Sequence, residues 1–414
     1  MKRNFPICTR LALAASLLVG VAVLPRPVRA AEPIRIAIVT PLAITPGKAV
    51  VRGAKLAAER INRAGGIGGH TVKLLIFDSQ LSTSASVRAM QRAVEQDHAQ
   101  VVAGVFTSED SMALANYAGR LDVPLIVESG SSKIGELIRT HYKRYRNVFQ
   151  LQLNGHFIAQ EVCDAAHSLL LKDAPGRPSA VILSEQAAWT QPLDRAYEAC
   201  LPKAGFKVLG RITYSPSTTD FGPVYNRIEG LHPTVIVTGM AHTGLRPVLQ
   251  WQQDQVPALM LGFNMQAGST DFWQRSNGAA QGVIVVTNGA GGAPITSKTA
   301  AFYHAYIRKY HDAPMLMAYT SYDSIYVIAD AANKAGLHST EKLVGQLAAT
   351  DYVGATGRIR FYGRHARFAH ALMYGPGLVT GVAFQWQNGK QSVVWPKSVA
   401  QASVVMPSFI ADKR

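Results

Sequence analysis

The chain has 414 residues, of which 48% are hydrophobic and 16% are charged, and its formal net charge is +16 at pH 7. This length is enough for two or three compact cores. No apolar stretch is long enough for a helix that spans a membrane well, so we expect no membrane-spanning segment in the mature protein. The excess positive charge favours an acidic ligand or surface as partner, or else a solvated basic face.

Residues 1–30 have the pattern of an export signal. Lys2, Arg3 and Arg10 form a basic start, an apolar run covers 11–24, and the segment 28–30 puts small residues at the cleavage positions. We therefore expect cleavage near Ala30 and a soluble mature protein outside the cytoplasm, with a retained anchor as the alternative. Cleavage would remove five basic residues and no acid, which leaves a net charge of +11.

Predicted strands and helices alternate from residue 34 onward. A strand at 34–39 is followed by a helix at 48–64 with an apolar face, a glycine-rich turn at 65–69 that ends the helix, and a strand at 72–78. A strand, a helix and a second strand in this order predict a parallel sheet covered by helices.

The same alternation continues through most of the chain. The later strands are short apolar runs, as expected where both faces of a sheet are covered. They are predicted at 101–104, 124–127, 180–183, 207–214, 234–237, 258–261 and 283–286, and helices at 85–96, 111–120, 156–171, 193–203, 245–253 and 299–310. We predict an α/β architecture with two doubly wound parallel sheets. Near the end of the chain, Asn388-Gly389 between two β-rich runs predicts a hairpin.

Two cysteines remain after cleavage, Cys163 and Cys200, each in a predicted helix. An oxidising compartment permits a disulfide between them. Two free buried thiols are the alternative, because Cys is often simply a core residue.

No enzyme signature is present in the sequence. It has no Gly-x-Ser-x-Gly, no His-Glu-x-x-His and no paired Cys-x-x-Cys, and the glycines at 289–292 lack dinucleotide-binding spacing. The basic and aromatic segment 141–146 has a composition that can contact nucleic acid, but it is a single cluster in an exported protein. We therefore predict no enzymatic activity, no cofactor, no metal site and no nucleic-acid partner.

Five blocks in order carry a resemblance to a known family. They are 53–69 followed by Phe77-Asp78, 102–108 followed by 121–126, 148–150, 354–361, and the hairpin 384–395 followed by Pro396. Together they resemble the leucine/isoleucine/valine-binding type of periplasmic solute-binding protein, over almost the whole mature chain.

The resemblance implies the type I periplasmic binding protein fold. Two lobes are joined by three crossovers, and hinge closure buries a solute between them. By analogy the signal peptide at 1–30 precedes the lobes. Lobe one is then expected at 31–149 and 288–355, and lobe two at 150–287 and 356–414 with the C-terminal hairpin.

The resemblance also implies a role in import. The chain would capture a small amino-acid-like, amide or carboxylate solute in the periplasm and present it, as a monomer, to the inner-membrane permease of an ATP-binding-cassette (ABC) importer. Two alternatives stay open. The same scaffold could carry an apolar lipid or sterol, or it could sense a ligand for a signalling partner.

Candidate ligand contacts in lobe one follow two predicted strands. Thr107 and Ser108 follow one strand, Ser131 and Ser132 follow another, and both pairs precede helices. Ligands of parallel sheets bind beyond the carboxyl ends of the strands, and hydroxyls with backbone N–H groups at helix N-termini favour an anion. The resemblance implies that these positions hold a carboxylate, whereas helix capping alone is the alternative.

In lobe two the resemblance implies that Trp189 is an aromatic lid, because relatives commonly have an aromatic residue there. Met240, Phe263 and Asn264 lie in loops expected to face the cleft. A packed surface side chain is the alternative for Trp189. Relatives usually place a carboxylate in the last of these loops to meet an α-ammonium group, but this chain aligns Asn264 there.

An ammonium group buried without a charged partner costs several kcal/mol. A simple α-amino acid is therefore no better supported than a neutral, amide-like or apolar solute. Glu128, Glu185 or Asp220 could replace the missing carboxylate, but no motif assigns any of them to the cleft.

Overall fold

The computed structural model of the chain describes residues 1, 32–171, 176–336 and 339–411. The predicted signal peptide at 1–30 lies, apart from Met1, outside the described residues, and so does its expected cleavage point at Ala30. Within the described ranges no helix is both long and apolar enough to cross a bilayer.

Lobe one is built on a five-stranded sheet. Its strands are β1 (Ile34–Thr40), β2 (Val72–Asp78), β3 (Val101–Val105), β4 (Leu125–Val127) and β5 (Val148–Gln150). All neighbours pair in parallel, in the spatial order β2-β1-β3-β4-β5. The connecting helices are α1 (Thr45–Arg63), α2 (Thr83–Glu95), α3 (Ser108–Ala118), α4 (Ser132–Thr140) and α5 (Tyr142–Tyr145).

Lobe two is built on a second sheet with the same winding. Its first strands are β6 (Ser179–Glu185), β7 (Lys207–Tyr214), β8 (Val235–Met240), β9 (Leu259–Asn264) and β10 (Ile284–Thr287), all parallel to their neighbours. Its helices are α6 (Gly155–Leu170), α7 (Thr190–Cys200), α8 (Gly222–Glu229), α9 (Leu245–Gln253) and the short α10 (Phe272–Arg275).

After β10 the chain returns to lobe one. This segment contains α11 (Thr299–Tyr310), α12 (Leu316–Ala335), α13 (Thr340–Ala348) and the antiparallel pair β11 (Asp351–Val353) and β12 (Arg358–Arg360). Helix α12 packs closely on α1. A Cβ atom on Gly53 would lie 2.3 Å from the carbonyl oxygen of Ala318, so only glycine permits this approach.

A third passage brings the chain back to lobe two. There β13 (Val382–Gln387) pairs antiparallel with β10, and β14 (Lys390–Trp395) completes the order β14-β13-β10-β9-β8-β6-β7. Asn388 and Gly389 both have positive φ, which confirms the predicted hairpin turn. The short helix α14 (Ser408–Ala411) follows. The finer lobe boundaries at 149/150, 287/288 and 355/356 stay predictions.

A disulfide joins two helices of lobe two, and a shared apolar core joins the two lobes. Cys163 of α6 and Cys200 of α7 form a disulfide, with Cα atoms 6.1 Å apart, so the bonded alternative is the one the structure contains. One apolar cluster extends from lobe one into lobe two and includes Leu151 and Leu153 of the first crossover. The crossover is therefore packed as core rather than as a loose linker.

Candidate functional site

A cavity of about 110 Å³ lies between the lobes. Its walls combine the carboxyl ends of β3 and β4 with those of β6, β8 and β9, as expected for a ligand site of parallel sheets. Lobe one contributes Ile44, Pro46, Leu81, Phe106, Thr107, Ser108, Glu109, Glu128, Gly130 and Met317, and the other wall contains Gln152, Ile158, Trp189, Ala241, His242, Phe263 and Met265.

The start of α3 presents unused donors to this cavity. Thr107 is the N-cap residue, but its side chain does not cap the helix, and its hydroxyl is buried without a partner among the residues that the structure describes. Ser108 begins the helix and also lines the cavity. The first N–H groups of a helix lack acceptors within it and carry partial positive charge. This corner of the cavity therefore suits an anion.

Ser131 and Ser132 are not on the cavity wall. The loop after β4 reaches the cavity at Glu128 and Gly130 and then turns away, because the Gln150 amide nitrogen donates to the carbonyl oxygens of Ser129 and Ser131. The Ser132 hydroxyl is buried against Gly155, where a Cβ atom would lie 3.5 Å from it. The structure thus separates these two serines from Thr107 and Ser108.

Glu128 is the most deeply placed polar side chain of the wall in lobe one. It is 1% exposed, and neither carboxyl oxygen has a hydrogen-bond partner within the described parts of the chain. Burial raises its pKa to about 8, and the nearby hydroxyls of Ser324 and Ser321 offset only part of that effect. At neutral pH the side chain is mainly a neutral carboxylic acid.

An aromatic pair forms the centre of the opposite wall. Trp189 lies directly before α7 and is 8% exposed. Its ring meets that of Phe263 edge to face, with centroids 5.4 Å apart. Trp189 and Phe263, both predicted from sequence, therefore share one cavity with Thr107 and Ser108.

A second buried glutamate fixes this wall. Glu185 accepts hydrogen bonds from Trp189 Nε1 at 3.1 Å, from the backbone N and Nδ1 of His242 at 2.9 and 2.6 Å, and from Thr243 Oγ1 at 3.1 Å. Burial acts to raise the pKa of Glu185, but the hydrogen bonds and charge of His242 outweigh it, and the pKa is lowered. The carboxyl oxygens of Glu185 therefore already have hydrogen-bond partners within lobe two and do not face a ligand.

His242 is the basic side chain in the cavity wall, and its pKa is raised. The hydrogen bond to Glu185 is the main cause that raises its pKa, burial opposes the shift, and the charges of Glu185 and, across the cleft, Glu109 add to it. The sequence placed His242 in a loop expected to face the cleft, but it did not predict the pairing with Glu185, which is 57 residues away.

Met240 and Asn264, predicted to contact the ligand, lie behind the wall. Met240 is fully buried and Asn264 is 2% exposed, and neither lines the cavity. Asn264 holds two loops together: its Nδ2 donates to the Gly244 carbonyl at 3.3 Å, and its Oδ1 accepts from the Ala267 N–H at 3.0 Å. Asn264, which aligns with the expected carboxylate, therefore has a structural role within lobe two.

Gln152 connects the cavity to the crossovers. Its Oε1 accepts from Asn288 Nδ2 at 2.7 Å and from Thr320 Oγ1 at 3.3 Å, which joins the first crossover to the second and to α12. Met317 of α12 also lines the cavity. Sequence reasoning assigned neither residue to the site. Among the described residues, no three His, Cys, Asp or Glu side chains form a group suited to a metal ion.

Comparison with known proteins places this geometry in a family. Residues 33–375 match the family described as periplasmic binding protein, and the chain belongs to that family. The leucine-, isoleucine-, valine-, threonine-, and alanine-binding protein of Pseudomonas aeruginosa is 23% identical over 315 residues, which are 75% of this chain and 79% of that protein.

Two solved structures share the fold. The branched-chain amino acid transporter substrate-binding protein of Streptococcus pneumoniae, in complex with isoleucine, has a TM-score of 0.72 at 21% identity and covers 88% of this chain and 100% of its own. An ABC transporter solute-binding protein of R. palustris, in complex with benzoate, has a TM-score of 0.70 at 16% identity and covers 91% and 99%.

These findings confirm the predicted two-lobed α/β fold and the predicted family. They also confirm the class of function. The chain is a non-enzymatic, extracytoplasmic solute-binding protein.

Proposed function

We propose that this protein captures a small solute with a carboxylate and a compact apolar body, and delivers it to the inner-membrane permease of an ABC importer. Hinge closure between the lobes would bury the solute. We further propose that it acts as a monomer in the periplasm after cleavage near Ala30. The main observation in support of this proposal is the unpartnered, buried hydroxyl of Thr107 at the start of α3, opposite an aromatic wall.

The carboxylate would bind at the start of α3. Thr107 Oγ1 and the free N–H groups of the first turn offer several donors at one point. The helix dipole adds an interaction of about 0.3–1 kcal/mol with an anion, and more when the site is partly buried. Ser108, at the same helix start, adds a second hydroxyl.

The apolar body of the solute would lie against Trp189 and Phe263, with Met265 and Ile158 beside them. Glu185 fixes the orientation of Trp189 through the indole N–H. A pre-oriented aromatic wall loses little conformational entropy when a ligand binds, so its buried area contributes more fully to affinity.

The solutes named for the relatives agree with this chemistry. Leucine, isoleucine, valine, threonine and alanine in the Pseudomonas protein's name, isoleucine in one solved structure and benzoate in another, all carry a carboxylate. Most of them join it to a compact apolar body. This shared chemistry supports a carboxylate-bearing solute here.

The alternative of a lipid or sterol carrier has less support. That function predicts an elongated apolar cavity, whereas this one is compact, with Glu109, Glu128 and His242 in its walls. Polar and ionisable side chains facing a sterol would lose hydration without compensation. No feature of the described residues favours the sensor alternative specifically.

A thermal-shift screen of the mature protein tests the proposal. The panel should contain amino acids, amides, monocarboxylates such as benzoate, and sterols. A cognate solute at a hundredfold excess over its dissociation constant stabilises the protein by about 2.7 kcal/mol. The proposal would be contradicted if a sterol stabilised the protein, or if none of the carboxylates in the panel did.

The Thr107→Val variant tests the proposed carboxylate site. It keeps the volume and removes one hydrogen bond to a charged group, so we expect about tenfold weaker binding by calorimetric titration. Thr140→Val is the matched control, because that hydroxyl caps carbonyls on the exposed end of α4 and should leave affinity unchanged. Equal affinities in both variants would remove Thr107 from the site.

A further inference from the structure

Glu128 is adjacent to the proposed carboxylate site. Strands β3 and β4 are parallel neighbours, and Val105 pairs with Val127. Thr107 lies two residues beyond Val105, and Glu128 follows Val127 directly. Neighbouring strands are about 4.8 Å apart. An anion site and a carboxyl group therefore stand side by side in lobe one.

The carboxyl group of Glu128 has unused binding capacity. Buried polar groups in folded proteins nearly always have hydrogen-bond partners, so an unpartnered carboxyl in a cavity wall requires an explanation. Glu128 is 1% exposed, and neither of its oxygens has a partner in the part of the chain that the structure describes. A donor supplied by the ligand would satisfy both oxygens.

The other carboxyl groups near the cavity are poorly suited to this role. Glu185 already accepts four hydrogen bonds. Glu109 is exposed to solvent, which weakens any ion pair it forms. Asp220 lies away from the cavity and accepts hydrogen bonds from the Gly222 N–H and the Gln250 amide. In lobe two, the residue behind the cavity wall that aligns with the family's carboxylate is the neutral Asn264.

We propose that Glu128 recognises a cationic amino group of the solute. This inference rests on the function proposed above and narrows its solute to a zwitterion. The carboxylate and the ammonium group would both bind lobe one, at the ends of neighbouring strands, and lobe two would contact only the apolar body. The resemblance implied the opposite arrangement, with the carboxylate partner of the ammonium group in lobe two.

The proposed recognition involves the transfer of one proton. The groups facing Glu128 are the hydroxyls of Ser321 and Ser324 on α12, and the charged groups that share its cavity are Glu109 and His242. Because burial raises the pKa of Glu128 to about 8, the free protein holds it protonated at pH 7. As the ammonium group enters, Glu128 releases its proton to the buffer, the carboxylate forms, and the amino group keeps its own three protons.

Matched pairs of solutes test the inference on the unmodified mature protein. The probes are L-isoleucine with 3-methylpentanoate and L-phenylalanine with 3-phenylpropanoate, which differ within each pair only in the amino group. We expect the better-bound amino acid to exceed its deaminated analogue by about 10- to 100-fold in affinity. If the analogue binds as tightly, the inference is wrong while the proposed function stands. If neither member of either pair binds but another simple carboxylate without an amino group does, the inference is wrong and the proposed function stands; if no carboxylate binds at all, both proposals fail.

The Glu128→Gln variant tests the residue itself. It should weaken amino-acid binding by a similar factor and leave the deaminated analogue unaffected. Titration at pH 7 in two buffers of different ionisation enthalpy should show nearly one proton released per bound amino acid by the wild type and none by the variant. Glu341→Gln, which alters a side chain that is 82% exposed, is the control and should retain proton release. A wild type that binds an amino acid without releasing a proton would overturn the inference, even if the Gln variant failed to fold.

Discussion

Glu128 and Glu185 are buried carboxyl groups at the carboxyl ends of strands beside the cleft, one in each lobe, and they differ in what surrounds them. Glu185 ends β6 in lobe two and Glu128 follows β4 in lobe one, and both are buried beside the same cleft. Glu185 has four hydrogen-bond donors and a lowered pKa. Within the described structure no donor lies at hydrogen-bond distance from Glu128, the nearby hydroxyls of Ser324 and Ser321 offset burial only in part, and its pKa is raised to about 8. At these two positions it is the donors, more than burial, that determine the charge of the carboxyl group.

The difference separates a structural role from a binding role. Glu185 uses its whole accepting capacity to orient Trp189 and His242, so its charge contributes to the folded wall of lobe two. Glu128 keeps its capacity unused, which lowers stability in the absence of a ligand. Binding sites often contain such unsatisfied groups, because the ligand supplies the missing interaction.

Replacing Glu185 should have the largest effect on stability. Glu185→Gln removes the charge that pairs with His242 and turns amide hydrogens toward existing donors. Loss of one partner of a buried pair costs about 3–5 kcal/mol, and we expect the lower end because His242 is partly exposed. Denaturant unfolding at pH 7 measures the loss, and an NMR titration should show the pKa of His242 falling in the variant.

The pH dependence of this pair has a defined direction. A lowered pKa at Glu185 means that its contribution is lost as the pH falls through the folded-state value, and a raised pKa at His242 means that its contribution is lost as the pH rises through the folded-state value. The destabilisation by Glu185→Gln should therefore be largest between these two values. A loss that is constant with pH would mean that the pair is not ionic.

Replacing Glu128 should change the free energy of unfolding in the opposite direction. In the folded protein Glu128 keeps its proton up to a pH of about 8, whereas the unfolded chain releases it near the ordinary value of 4.5. Wild-type stability should therefore fall as the pH rises between these values. The linkage gives a cost of about 3 kcal/mol at pH 7.

Glu128→Gln removes that titration and should be more stable than the wild type at pH 7. The difference should decrease at lower pH and nearly vanish near pH 4, as measured by denaturant unfolding across this range without solute. Glu341→Gln serves again as the surface control. A destabilised Glu128→Gln variant at pH 7 would show that the carboxyl group has partners in the folded protein, and the contrast between the two glutamates would fail.

The sequence predicted the scaffold better than the site, for a physical reason. Buried parallel strands and the Asn388-Gly389 turn depend on local pattern, so they could be predicted from one sequence. Thr107 could be assigned to the cleft because it lies just after a strand, whereas Trp189 was assigned through the family resemblance. Helix α12 was not predicted, because it is buried on nearly all sides and lacks an amphipathic pattern.

The predicted contacts that do not line the cavity lie where one residue of a loop determines the direction of the side chain. Asn264 and Met240 end their strands facing the protein interior, while Phe263 and Met265 face the cavity. The state of Glu185 and Glu128 depends on contacts far apart in the chain, such as His242, 57 residues from Glu185. Local pattern contains no information on such pairings.

Removing a single donor from Glu185 should have the smallest effect. Trp189→Phe keeps an aromatic ring against Phe263 and deletes only the indole N–H, so three of the four hydrogen bonds to Glu185 remain. We expect a loss of about 1 kcal/mol in unfolding free energy and a few-fold loss in solute affinity, because the ring is less firmly oriented. Unfolding and calorimetric titration of the same preparation measure both quantities. A stability loss as large as that of Glu185→Gln would mean that the indole bond alone maintains the charge of Glu185, and that the number of donors does not explain the contrast with Glu128.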